Sequence, residues 1–189
     1  MIQDISAIMF DERQIHTRIK ELGVQISKDY CGKYPVLICI LKGASMFMAD
    51  LMRAVTIPVE IDFMAISSYG NSRQSSGVVQ IKKDVDVNLQ NRDVIIVEDI
   101  VDSGLSLQYI KDYIGKHNPN SLATCVLLDK PSGHKIEIPV EYVGFETADE
   151  FVVGYGLDFA QKYRNLPFIG ILKEEVYSWT TMNNRITKI

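Results

Sequence analysis

Apolar positions along the chain follow two rhythms. From Phe10 to Asp29, Ile15, Ile19, Leu22 and Ile26 recur at spacings of three or four, which predicts an amphipathic helix. After Pro35 the run Val36-Leu37-Ile38-Cys39-Ile40-Leu41 is apolar throughout, as expected of a strand buried on both faces. Lys42-Gly43 interrupts it, and Ala44 to Arg53 predicts a helix whose Met46, Phe47 and Met48 pack against the core or a neighbouring subunit. Further strands are predicted at Pro58 to Ile66, Val78 to Lys82, Val94 to Val97, Leu122 to Leu128, Glu141 to Gly144, Phe151 to Tyr155 and Phe168 to Leu172. Leu105 to Lys116 predicts another helix, and Ser67 to Gly77, rich in Ser, Gly and Asn, has the composition of a mobile loop. Strands alternating with helices, several of them continuously apolar, predict an α/β fold with a central, mainly parallel sheet flanked by helices. No internal repeat, low-complexity stretch or linker divides the sequence.

Composition narrows the function classes. A chain of 189 residues, 47% hydrophobic and 23% charged, can bury a core and fits one domain better than two. The net charge is −4, from 20 basic and 24 acidic residues interspersed along the chain, so nucleic acid is a poor partner. The apolar runs are too short for a membrane span. Met1-Ile2-Gln3-Asp4 lacks the basic region and apolar stretch of a signal peptide. Cys31, Cys39 and Cys125 have no metal-like or redox-like spacing, and Cys39 and Cys125 lie in apolar runs that suit small buried hydrophobes. The expectation is a reduced, cytoplasmic protein.

The informative segment runs Val94-Ile95-Ile96-Val97-Glu98-Asp99-Ile100-Val101-Asp102-Ser103-Gly104-Leu105-Ser106-Leu107. A buried strand is expected to end at two adjacent carboxylates, followed by a turn with a third and then a helix. In open α/β sheets ligands bind beyond the carboxyl ends of the strands. The amides of Ser103 to Ser106 at the helix start suit a phosphate dianion, with Gly104 allowing close approach and Ser103 and Ser106 adding hydroxyls. Carboxylates repel phosphate, so Glu98 and Asp99 make sense facing sugar hydroxyls or a Mg²⁺ ion, which prefers oxygen ligands. By itself the pattern also fits a solvated loop, or phospho-acceptor and phosphatase-like folds.

Val97-Glu98-Asp99-Ile100-Val101-Asp102-Ser103-Gly104 closely resembles the phosphoribosyl-diphosphate signature of the type I phosphoribosyltransferases. Leu41-Lys42-Gly43 resembles the family's diphosphate loop, and Ser67-Ser68-Tyr69-Gly70 its mobile active-site loop. Leu128-Asp129-Lys130-Pro131 and Phe151-Val152-Val153-Gly154-Tyr155-Gly156-Leu157-Asp158 resemble the purine-binding elements of members that act on hypoxanthine and guanine. The resemblance runs in order from about Leu41 to Leu172.

That resemblance implies a fold with a small hood, built from the N-terminal segment and part of residues 130–189, over the base. It implies that Lys42, after a cis peptide, and Gly43 bind diphosphate together with Arg164, an arginine suiting bidentate phosphate contact. Glu98, Asp99, Asp102, Ser103, Gly104, Leu105 and Ser106 would hold the phosphoribosyl group. Glu98 and Asp99 would serve Mg²⁺ and Asp158 a second Mg²⁺ through water, and Ser68 and Tyr69 would form a lid that excludes water. Lys130 would donate to the purine 6-oxo group, Phe151 would stack on the ring, and the Val152 backbone would read its edge beside Asp158. Asp102 would hold the purine N7 proton while N9 attacks the sugar C1. The implied substrates are phosphoribosyl diphosphate and a 6-oxopurine, and the implied assembly is a homodimer or homotetramer.

Ser103 and Ser106 stand where threonine is common in the family, and Gly156 replaces a frequent alanine, which is expected to loosen that strand. His16, His117 and His134 fall outside every motif. Two other readings remain at this level: a regulator of the same fold that binds nucleic acid, disfavoured by the acidic charge, and a transferase preferring xanthine or another base.

Overall fold

Asp11 sets the start of the first helix. Its carboxylate accepts from the Gln14 amide at 2.8 Å while the Gln14 side chain accepts from the Asp11 amide at 2.9 Å, a reciprocal capping box. In this computed structural model, which describes residues 1–68 and 79–178, α1 is therefore Glu12–Asp29, with Ile15, Ile19, Leu22 and Ile26 buried. Phe10, expected in that helix, instead ends a strand, β1 (Ile5–Phe10). No alternation marks β1, because its residues are exposed or only half-buried.

The chain continues through β2 (Val36–Leu41), α2 (Ser45–Ala54), β3 (Glu60–Ser68) and β4 (Val79–Lys83). It then forms β5 (Asp93–Val101), α3 (Leu105–Gly115), β6 (Ser121–Asp129), β7 (Tyr142–Glu146), β8 (Val152–Val153) and β9 (Ile169–Leu172). A six-stranded sheet has the order β4-β3-β2-β5-β6-β7. All its pairings are parallel except that of β4, which lies antiparallel on the edge beside β3.

The strands at the centre face apolar layers on both sides, as their continuous hydrophobicity requires. Leu37, Cys39, Ile95, Val97 and Cys125 pack with Ile15, Ile19, Phe47 and Leu51 of α1 and α2. Val36, Ile38, Val94, Ile96 and Val126 point the other way, onto Leu107, Ile110 and Ile114 of α3. Met46 is 44% exposed, while its neighbours Phe47 and Met48 are buried.

Most strand bounds shift by one or two residues from the sequence expectation, and two strands change most in extent. β5 does not stop before Glu98: its ladder with β6 continues through Glu98 opposite Val126 to Val101 opposite Asp129. Backbone pairing on a central strand outweighs the polarity of two acids, so the turn begins only at Asp102. Conversely, of Phe151 to Tyr155 only Val152 and Val153 form a strand, since Gly154 and Tyr155 take positive φ values of 101° and 49° and turn the chain. β8 joins β9 and β1 in a separate three-stranded sheet of order β1-β9-β8. Of the expected lid, Ser68 ends β3 and Tyr69 lies outside the described residues, as does most of Ser67 to Gly77. Among the described residues no helix is long and apolar enough to cross a membrane.

Candidate active site at the switch of the sheet

The strand order reverses at β2. Its successor β3 lies on one side and β5 on the other, so the carboxyl ends of β2 and β5 border the crevice where such sheets bind ligands. Lys42 and Gly43 follow β2 there, joined to Leu41 by a cis peptide bond. Glu98 and Asp99 occupy the end of β5.

These two loops touch. A Cβ added at Gly43 would lie 1.5 Å from Asp99 Oδ2, so only glycine leaves room for that carboxylate. Behind them, a Cβ at Gly156 would lie 2.0 Å from the Gly43 carbonyl oxygen, and Gly156 has φ 99°. The expectation that this glycine loosens the strand is therefore reversed. It permits close contact between two turns that an alanine in this conformation would separate.

A cleft of about 280 Å³ opens beside this crevice. Asp99, Ile100 and Asp102 line it from the end of β5, Lys130 from the end of β6, and Phe151, Val152, Leu157 and Asp158 from β8 and its flanks. Acids from one motif and the proposed base-reading residues from two others thus face a common space. Asp102 is exposed and lies against the turn after Lys130, where a Cβ on Gly133 would come 2.4 Å from Asp102 Oδ1.

Ile100 and Leu157 were not singled out from sequence. Each sits one residue from an acid already chosen, and an apolar residue so placed in a polar motif is the signal that could have found them.

The charged groups have specific surroundings. Lys130 is 7% exposed, and its ammonium donates to the Glu150 carbonyl at 2.5 Å and lies 3.7 Å from Asp149. Arg164 donates to the Gly156 carbonyl at 2.7 Å and pairs with Asp158 at 2.6 Å, so in this state it braces the turn around Asp158. Lys42 is exposed and reaches Gln161 at 3.4 Å. Phe151, at 39% exposure, is not a core aromatic; it stacks on Tyr177 with ring centroids 5.0 Å apart and presents itself to the cleft.

Glu98 is buried, and its Oε2 has no hydrogen-bond partner among the described residues. Burial, then the neighbouring Asp99, pushes its carboxyl well above the usual range. Burial also raises Asp99 to about 6, against the lowering effect of its hydrogen bond from the Ile100 amide and of Arg164, with Asp158 adding to the rise. Two adjacent acids held at a cost to their ionisation, one with an orphaned oxygen, fit a bound cation. Among the described residues no three His, Cys, Asp or Glu side chains converge as a complete metal cage. Of the common cations, Mg²⁺ prefers oxygen ligands and keeps several waters, so two carboxylates are compatible with holding it.

The turn from Ser103 leads into α3 through Gly104 at φ 78°, a conformation that favours glycine. Among the described residues no side chain caps the start of α3, so its first amides can take another acceptor.

A family model described as a phosphoribosyl transferase domain matches residues 8–160, and the chain belongs to the phosphoribosyltransferase family. The hypoxanthine-guanine phosphoribosyltransferase of Bacillus subtilis is 49% identical over 177 residues, covering 94% of this chain and 98% of the relative. That of Streptococcus thermophilus is 48% identical over 176 residues, covering 93% and 98%. Among solved structures, a hypoxanthine phosphoribosyltransferase from Staphylococcus aureus superposes with a TM-score of 0.90 at 47% identity, covering 94% of this chain and 96% of that one. Within its family of transferases, the chain is therefore similar to members named for hypoxanthine and guanine.

Proposed function

We propose that the protein transfers the 5-phosphoribosyl group of phosphoribosyl diphosphate to N9 of a 6-oxopurine, hypoxanthine or guanine, giving IMP or GMP and diphosphate. The observation that carries this is the single cleft joining Asp99 and Asp102 to Lys130, Phe151 and Val152. Sugar-binding acids and base-reading groups must share one space if C1 is to meet N9.

In this reading the uncapped amides from Ser103 to Ser106 hold the 5-phosphate, with Gly104 and Leu105 forming the floor of the turn. Glu98 and Asp99 hold the ribose hydroxyls. Lys42, Gly43 and Arg164 bind the diphosphate, Arg164 exchanging its present bonds for phosphate oxygens. Lys130 donates to the 6-oxo group, Phe151 stacks on the ring, the Val152 backbone reads its edge, and Ile100 and Leu157 supply apolar walls. An adenine amino group offers the Lys130 ammonium no acceptor, which disfavours that base.

The N9–C1 bond forms as the C1–oxygen bond to diphosphate breaks, and the purine N7 proton passes to the Asp102 carboxylate, leaving a neutral base in the nucleotide. Glu98 and Asp99 would hold one Mg²⁺ and Asp158 a second through water, and the metal when bound would neutralise developing charge on the leaving diphosphate. Ser68 and Tyr69 belong to a lid, and the β1-β9-β8 sheet to a hood over the base. The protein works in the cytoplasm as a homodimer or homotetramer, and the regulator alternative gains nothing from relatives named as transferases. Neither the charge nor the cleft favours nucleic acid as a partner.

The test is an absorbance assay with phosphoribosyl diphosphate, Mg²⁺ and each base in turn. Turnover of hypoxanthine or guanine, with adenine and pyrimidines inert, is expected. No turnover of any oxopurine would end this reading.

A further inference from the structure

Asp50 lies on α2, the helix that begins two residues after the Lys42-Gly43 loop. Its side chain is 19% exposed and gathers groups from separate parts of the chain. The Tyr155 hydroxyl donates to its Oδ2, the Arg53 guanidinium donates to its Oδ1, and His16 Nε2 of α1 lies 3.4 Å from Oδ2.

Tyr155 is 6% exposed and sits in the turn between β8 and Asp158. Its φ of 49° is disfavoured for a residue with a side chain, and its amide donates to the Leu166 carbonyl at 2.9 Å. Such a conformation persists where the surroundings over-determine it. The neighbouring residue, Gly156, is the one that abuts Gly43. The base-side turn is therefore tied to the Gly43 loop by backbone contact and to α2, the helix that follows that loop, through Asp50 and Tyr155.

A buried phenylalanine would fill the same space without needing a polar partner. The choice of tyrosine facing a carboxylate is thus a directional constraint, and hydrogen bonds to ionised acceptors are the strong ones. Burial, then the bond to Asp50, raises the phenol well above its ordinary range, so it remains a donor at working pH.

We propose that Asp50 and Tyr155 are positioning residues whose hydrogen bond couples the diphosphate loop to the base-binding turn, so that each substrate finds its subsite aligned by the other. This rests on the phosphoribosyl-transfer reading. Neither residue lines the cleft, and their role is to hold Val152 and Asp158 in register with Lys42 and Gly43.

Tyr155→Phe keeps the ring and removes the hydroxyl. The expected result is a rise in KM for the purine of roughly ten-fold with a comparable fall in kcat, since small misplacements of reacting groups are costly. Asp50→Ala should act alike, and the double variant should be no worse than the poorer single one, the signature of a shared interaction. Asp50→Asn retains an acceptor for the hydroxyl and should keep KM within about two-fold of the parent.

A purely structural bond would instead lower the melting temperature and leave KM and kcat in place when measured well below it. The proposal is overturned by a folded Tyr155→Phe variant whose constants match the parent, by additive losses in the double variant, or by Asp50→Asn behaving like Asp50→Ala. An inactive parent protein would overturn the transfer reading and this proposal with it. An active parent with an indifferent Tyr155→Phe variant overturns this proposal alone.

Discussion

Asp102 and Gly43 illustrate how much a single position can carry. Asp102 is exposed and lines the cleft. Asp102→Asn should keep phosphoribosyl diphosphate binding by calorimetry but lower kcat by roughly 10²- to 10⁴-fold, the usual contribution of a positioned acid or base. Turnover equal to the parent's would remove the residue from the mechanism. Gly43 acts by having no side chain. Gly43→Ala drives a methyl group to 1.5 Å from Asp99 Oδ2, so the carboxylate must swing away from the crevice. A fall in kcat/KM of at least about 100-fold is expected, given what an ångström of misplacement costs. An alanine variant with ordinary kinetics would show that the Asp99 position is immaterial. From sequence the glycine was assigned to the diphosphate loop, but its contact with Asp99 joins two segments 56 positions apart and could not be read along the chain.

Elements whose identity rests on local pattern were legible, and those that rest on distant partners were not. α1 and β2 emerge with nearly the expected bounds because helical periodicity and a continuous apolar run are local signals. β1 was invisible, since it exists only through pairing with β9. The end of β5 was misjudged for the same reason: its acids are polar, but β6 holds the backbone beyond them. The site residues were chosen in part through resemblance, and the structure brings Asp99, Asp102, Lys130, Phe151, Val152 and Asp158 to one cleft.

Another element fixed by distant contacts is the segment after β4. There Asp62 of β3 accepts from the amides of Asp86 at 2.6 Å and Val87 at 3.0 Å, with Lys83 at 3.6 Å. Burial would raise the Asp62 carboxyl, but the amides of Val87, Phe63 and Asp86 together with Lys83 outweigh it and hold it below its usual range. A depressed folded-state pKa gives stability that is present above the unfolded value, about 3.9, and lost as pH falls through the folded value. Asp62→Asn should therefore lower stability at neutral pH and flatten the acid limb of the stability curve, as urea titrations across pH 2 to 7 would record. A variant with the parent's acid limb would assign that limb to other groups.

For the molecule as a whole, the ligand set implies coupling between metal, donor sugar and stability. Chelation should abolish turnover, and added Mg²⁺ should restore it. Phosphoribosyl diphosphate at about 100 times its Kd should add about 2.7 kcal/mol of stability when Mg²⁺ is present and markedly less after chelation. For a domain of this size that corresponds to a rise in melting temperature of about 5 to 10 °C. An equal rise with and without the metal would separate Mg²⁺ from donor binding and return Glu98 and Asp99 to a role with the sugar alone.

The pairing of β1 with β9 has a consequence for how the chain is made. Ile5 meets Leu172 and Phe10 meets Ile169, so an early segment must wait through most of translation for its neighbour. The larger sheet has its strands in hand by residue 146 and can condense first, leaving β1 loose until β9 leaves the ribosome. Closure of so long a loop is slow relative to local contacts. The last part of the architecture to take shape during synthesis is then the one that we assign to covering the base.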